Sequence, residues 1–210
     1  MASSIIHYAI TCELIKRRQF SNPDRLKLGS VLADSGYNGN SHMKISVAEG
    51  QKKTYDFEGY RDLYGKLMKQ DDLYLGYYLH LIQDIIYRHF VYEKYHWNPM
   101  IPGNVEKLHR DYAIVNYYVI QKYQLKNDLK IPEDFDKEDI NRICAFDLTG
   151  LKQNMNSYFV PVEEDDIFFF TREMTDEYIT EAVECCMREL DNLEKENGGM
   201  DNYMLAWNKA

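Results

Sequence analysis

Most of the chain carries apolar residues at helical spacing. Residues 4–18 place Ile5, Tyr8, Ala9, Cys12 and Ile15 on one face, with Ser3 or Ser4 available to cap the start. The run Ser21-Asn22-Pro23-Asp24 breaks this pattern, and a short turn of helix is expected over 26–32. The Gly/Asn-rich stretch 34–40 reads as loop, and residues 41–47 as loop or a brief strand. Residues 57–69 form an amphipathic pattern with Tyr60, Leu63, Tyr64 and Leu67 on one side. Residues 71–94 are apolar nearly all round, the signature of a helix buried at the centre of a bundle. Turns at Trp97-Asn98-Pro99 and Pro102-Gly103 precede another helix over 104–125. The stretch 127–170 is less regular, with short helices expected near 137–146 and 148–156; the run Phe168-Phe169-Phe170 is either core or a cover over a site. A final long helix is expected over 176–196, stopped by Gly198-Gly199, with a short tail helix near 203–207. No β-sheet pattern, repeat or linker interrupts this series. The pattern predicts an all-α multi-helix bundle forming a single domain over 1–210.

Composition adds exclusions. A formal net charge of -9 repels phosphate backbones and anionic headgroups, which argues against general nucleic-acid binding and membrane adsorption. Bound divalent cations would offset part of that charge. No apolar stretch reaches ~18 residues, so no transmembrane helix is expected. The N-terminal residues lack the charge and cleavage pattern of an export signal. Cys12, Cys144, Cys185 and Cys186 contain no CxxC pair, and two of them are vicinal; reduced thiols in a cytoplasmic protein are the expectation. The 18 tyrosines supply apolar bulk with polar tips, suited to clefts and interfaces as well as to core.

The chemistry centres on His80 and Asp84. Four residues apart on the most buried helix, they project from one face about 40° apart and can hold one cation together. Taken alone, such a pair also suits a buried hydrogen-bonded couple without metal. His7, on the apolar first helix, and Asp34 and His42, bracketing the Gly/Asn-rich loop, extend the set to the mixture of imidazole and carboxylate that divalent metals favour.

The order His…Asp…His…HxxxD, with Gly76-Tyr77-Tyr78-Leu79-His80-Leu81-Ile82-Gln83-Asp84 and the Leu28–Asp34 segment LGSVLAD, resembles the zinc-dependent phospholipase C family over roughly the first 115 residues. That family shares its helical architecture with the S1/P1-type nucleases, binds up to three zinc ions and cleaves phosphoesters. The resemblance implies Asp34, His42 and His80 as terminal ligands of a first zinc, Asp84 as the bridge to a second, and His7 as a ligand of the second. The family pattern is incomplete here. Secreted members use an N-terminal tryptophan as a ligand, whereas this chain begins Met-Ala-Ser-Ser, leaving Ser3 or Ser4 as substitutes. His89 stands where a further histidine is expected, yet on a continuous helix it points about 180° from His80. The HxxxE pair of the last zinc is missing, since Ala113 follows His109 by four; His109 and Asp111 are the alternative ligands. One or two zinc ions are therefore expected rather than three.

The implied activity is hydrolysis of a small soluble phosphomonoester or phosphodiester by a metal-activated water, with Asp34 and Asp84 as catalytic carboxylates. Arg88 and Arg110 are possible phosphate contacts. A His-Asp-dipeptide phosphohydrolase is disfavoured because no such dipeptide occurs. The alternative of another class is a non-catalytic helical protein with a structural or vestigial His/Asp metal site.

Overall fold

The computed structural model describes residues 2–163 and 165–208. Its described residues form seven α-helices: α1 (Ser4–Arg17), α2 (Pro23–Leu32), α3 (Phe57–Met68), α4 (Asp72–Arg88), α5 (Asn104–Tyr123), α6 (Leu148–Tyr158) and α7 (Arg172–Glu194). The protein is thus mostly helical. α4 runs through its centre, buried from Leu73 to Tyr87 except at Leu75, and packs against α2, α3 and α7. Its buried residues join those of the other helices in one continuous core. None of the described helices is long and apolar enough to cross a membrane.

Several boundaries differ from expectation for identifiable reasons. α2 begins at Pro23, three residues before the expected 26. Proline at a first helical position loses no hydrogen bond, and Asn22 caps the turn by accepting the Arg25 N–H at 3.3 Å. The Ser-Asn-Pro-Asp break is therefore a helix start. α7 likewise begins at Arg172, where Thr171 accepts the Met174 N–H at 3.2 Å. The helix expected over 137–146 is instead a 3-10 turn (Asp139–Arg142) followed by a strand, and the 203–207 tail is a turn leading into a strand.

Those strands correct the all-α expectation. β1 (Gly36–Tyr37) pairs antiparallel with β4 (Ala145–Phe146), and β2 (Lys44–Val47), β3 (Lys52–Tyr55) and β5 (Trp207–Asn208) form a second antiparallel sheet in that order. At two to four residues each, they are too short for alternation to register, and two of the pairings join distant parts of the chain. They also matter to the site. β1–β4 brings Asp147 and the start of α6 beside Asp34, and the second sheet carries Tyr55 and Trp207 to the C-terminal half of α4.

The tyrosines serve chiefly as core: nine are buried, several with their hydroxyls bonded inside it. Tyr78 donates to Glu189 at 2.6 Å, and Tyr60 to the Tyr74 carbonyl at 2.8 Å. The four cysteines are free thiols.

Candidate metal centre

Four separate segments converge on one buried point. α4 supplies His80 and Asp84 one turn apart, α1 supplies His7, the 3-10 turn after α2 supplies Asp34, and the following loop supplies His42. His7 and His80 are fully buried and Asp84 is 1% exposed. The ring centroids of His7 and His80 lie 4.2 Å apart, and those of His42 and His80 5.2 Å apart.

Each imidazole is held by one nitrogen and offers the other. His80 Nδ1 bonds the Ser30 carbonyl at 2.8 Å and so carries a proton there. His7 Nδ1 lies 2.8 Å from Gln83 Oε1, and His42 Nδ1 lies 3.0 Å from Ser41 Oγ. The three Nε2 atoms and both Asp84 oxygens are buried without any hydrogen-bond partner. Leaving five such atoms unsatisfied in one interior site is costly, and their spacing accounts for it. His42 Nε2 stands 3.5 Å from Asp34 Oδ1 and 3.4 Å from Asp84 Oδ2. His80 Nε2 stands 3.9 and 3.6 Å from the same two oxygens, and His7 Nε2 lies 3.4 Å from Asp84 Oδ1. These separations exceed the ordinary hydrogen-bond length, and none of the five atoms has a hydrogen-bond partner. They match the edges of a coordination shell, since donors ~2.1 Å from a shared cation in tetrahedral array sit ~3.4 Å from one another. The donor set could therefore hold a metal ion.

The electrostatics point the same way. Burial would raise the Asp34 carboxyl, but His42, His80 and His7 overcome it and bring it down to about 2. Asp84 likewise lies well below the usual carboxylate range, because His7 and His80 outweigh its burial. Burial would lower His80, yet the charges of Asp34 and Asp84 hold it up at about 9. The carboxylates and imidazoles thus stabilise one another's charged forms within the buried site.

Asp34 connects the cluster to the surface. Its Oδ2 accepts a hydrogen bond from Ser4 Oγ at 2.7 Å, while Oδ1 faces His42 and His80. Ser4 and Asp34 form part of the wall of a cleft of about 590 Å³, lined also by Tyr37, Phe146, Thr149 and Asn154.

Three expected ligands lie outside this constellation. The regular turns of α4 end at Arg88 and pass into a π-helical segment (His89–Lys94), but His89 is exposed and joins neither donor group. His109 is exposed on α5 and stacks against Tyr112. Asp111 is buried and fully committed elsewhere, accepting the backbone N–H groups of Phe168, Phe169 and Phe170 at 2.8, 2.8 and 2.9 Å. It fixes the Phe168-Phe169-Phe170 run in place; Phe170 enters the core, and Phe169 packs on Trp97 at 4.2 Å. Asp111→Asn should lower stability by about 1–2 kcal/mol through the lost charge on three donors, leaving cation content at the wild-type level. Urea denaturation together with elemental analysis checks both halves. Ser3 Oγ bonds Asn116 Oδ1 at 2.5 Å and Ser4 Oγ bonds Asp34 Oδ2, so both serine hydroxyls are engaged with other side chains.

Sequence reasoning passed over Gln83 and Ser30. Gln83 carried a signal, being a polar residue inside a helix that is apolar nearly all round, and such a residue needs a buried partner. Ser30 acts through its carbonyl, for which no side-chain pattern exists. No family model, curated protein or solved structure matches the chain.

Proposed function

We propose that this protein is a hydrolase of phosphoric esters that works with one or two zinc-class cations, on a helical scaffold of the phospholipase C and S1/P1 nuclease type. One observation carries the reading: five buried donor atoms lack hydrogen-bond partners and are spaced as the ligands of a cation are. Asp34 Oδ1, His42 Nε2, His80 Nε2 and Asp84 Oδ2 suit a first cation, while His7 Nε2 and Asp84 Oδ1 suit a second. That second pair supplies only two protein donors and leaves coordination positions for water and substrate. Bound cations of this class neutralise phosphoryl oxygens and acidify water.

The chain's own groups hold and orient. Ser30 and Gln83 fix the ring planes and tautomers of His80 and His7, so that each turns its Nε2 lone pair inward. Asp34, ionised far below neutrality, is too weak a base to retain a proton; it orients the attacking water from the wall of the cleft. A small soluble phosphomonoester or phosphodiester fits a cleft of this size.

A second reading has its own support. The first four donors would close a tetrahedral shell, as structural zinc sites do. Protein purified without chelator, analysed for metals and assayed on chromogenic phosphomonoesters and phosphodiesters, separates the two. One to two equivalents of zinc with turnover is the expected result. A single tightly held ion with no turnover would leave the structural site, and a chain that takes up no divalent cation would overturn both.

A further inference from the structure

Beyond Asp84, the same face of α4 carries a cation with no counter-charge. Arg88 follows Asp84 by four residues and His80 by eight, so the three side chains rise along one side of the helix at ~6 Å intervals. The Arg88 guanidinium lies over two aromatic rings, 4.2 Å from the centroid of Trp207 and 4.6 Å from that of Tyr92. Its Nε is buried and has no hydrogen-bond partner, and it forms no ion pair with any described carboxylate. Other arginines of this acidic chain do find carboxylates: Arg18, Arg25, Arg110 and Arg142 all form ion pairs.

Aromatic faces hold a guanidinium by its flat surface and leave the N–H donors at its edge, directed in the plane. That is the orientation for two parallel hydrogen bonds to a carboxylate or phosphoryl group. With Nε buried and no ion pair formed, the terminal Nη edge of the stacked guanidinium is the part left to meet an oxyanion. Its scaffold also ties it to the cluster. Trp207 packs against Tyr55 at 5.3 Å, and Tyr55 in turn lies 6.3 Å from the ring of His42. The Tyr55 hydroxyl feels the charges of Asp84, Arg88 and Asp34 together.

We propose that Arg88 is an oxyanion-binding residue, gripping a phosphoryl group of a substrate that reaches from the Asp34 cleft, which Arg88 does not itself line, to the C-terminal end of α4, while Tyr92 and Trp207 hold its guanidinium flat. This inference rests on the phosphoester reading and adds the residue that would recognise the substrate's charge. It also gives β5 a task, because the strand brings Trp207 from the end of the described chain onto α4.

The test is titration of inorganic phosphate into wild-type protein, Arg88→Lys and Arg88→Met, each in zinc-loaded and metal-free form. Calorimetry gives the affinity, and tryptophan fluorescence reports the Trp207 stack. Wild-type zinc protein should bind phosphate with a change in fluorescence. Arg88→Met should bind at least about tenfold more weakly with unchanged zinc content, and Arg88→Lys should recover only part of the loss, since an ammonium keeps the charge without the fork. On any phosphoester the wild type hydrolyses, Arg88→Met should raise KM more than it lowers kcat. A merely structural arginine would move stability and leave these readouts in place. Equal phosphate affinity in wild type and Arg88→Met overturns the inference and leaves the metal-dependent hydrolase intact. Failure of wild-type protein to bind phosphate in either form overturns it whatever the metal content. A chain that takes up no zinc yet binds phosphate through Arg88 upholds the fork and removes the hydrolase reading.

Discussion

On the proposed reading, Asp84→Ala should empty the site, taking zinc from one to two equivalents to less than about a tenth of that content, with phosphoesterase turnover falling by roughly a thousandfold or more. Asp84 faces both halves of the cluster: Oδ1 lies 3.4 Å from His7 Nε2, and Oδ2 lies 3.4 and 3.6 Å from the Nε2 atoms of His42 and His80. No other carboxylate in the cluster is fully buried, and neither of its oxygens has a hydrogen-bond partner to lose. Removing it leaves the Asp34, His42 and His80 donors one ligand short and strips His7 of the carboxylate beside it. Asp84→Asn separates charge from shape. It preserves the volume and should fold, but its amide nitrogen would donate to an imidazole and block the site. Thermal melts with and without zinc distinguish the cases, because wild type should gain stability on adding zinc and neither variant should. Wild-type zinc content in Asp84→Ala would remove the cluster as a metal centre.

Gly29→Ala and Gly76→Ala should each destabilise the metal-free fold by on the order of 3 kcal/mol and weaken zinc binding as well. These glycines face each other where α2 crosses α4. A methyl group on Gly29 would lie 2.1 Å from the Leu73 carbonyl oxygen and 2.8 Å from the Tyr77 nitrogen. One on Gly76 would lie 2.3 Å from the Leu26 carbonyl oxygen. Backbone atoms cannot rotate aside as a side chain can, so the helices must part. The loss reaches the site because α2 delivers two of its components: the Ser30 carbonyl that orients His80, next to Gly29, and Asp34 in the turn that follows. Gly65→Ala is the control. It lies inside α3, a methyl group there meets nothing within 4 Å, and helix propensity should make it neutral or stabilising by about 1 kcal/mol. Urea denaturation of the three variants, with zinc titrations, measures both effects; Gly29→Ala matching Gly65→Ala would rule out the close crossing.

What could be read directly from the residues follows from local periodicity. Helix α4 declares itself because an all-apolar run of its length has no stable place except the middle of a bundle, and His80 and Asp84 share a face because 3.6 residues make a turn. Helix starts were legible only where the capping chemistry was read correctly. Pro23 and Thr171 both open helices, and proline in particular is as much a beginning as an end. Strand β5 left no local trace, because a two-residue strand exists only through its partner on β3, more than 150 positions away.

The same division runs through the site. Residue type and order nominated His7, Asp34, His42, His80 and Asp84 together with His89, His109 and Asp111; helical geometry already turned His89 about 180° from His80, and His109 and Asp111 entered only in place of a missing HxxxE pair. Long-range packing separated them. The glycine-mediated approach of α2 to α4 and the packing of α1 against both bring Asp34, His7, His80 and Asp84 together with His42 of the following loop, while Asp111 is drawn to three backbone amides and His89 and His109 turn to solvent. Metal-ligating capacity belongs to side chains and is written in the sequence. Convergence of unsatisfied donors at 3.4–3.9 Å belongs to the distances between helices, and those are set by contacts between residues far apart in the chain.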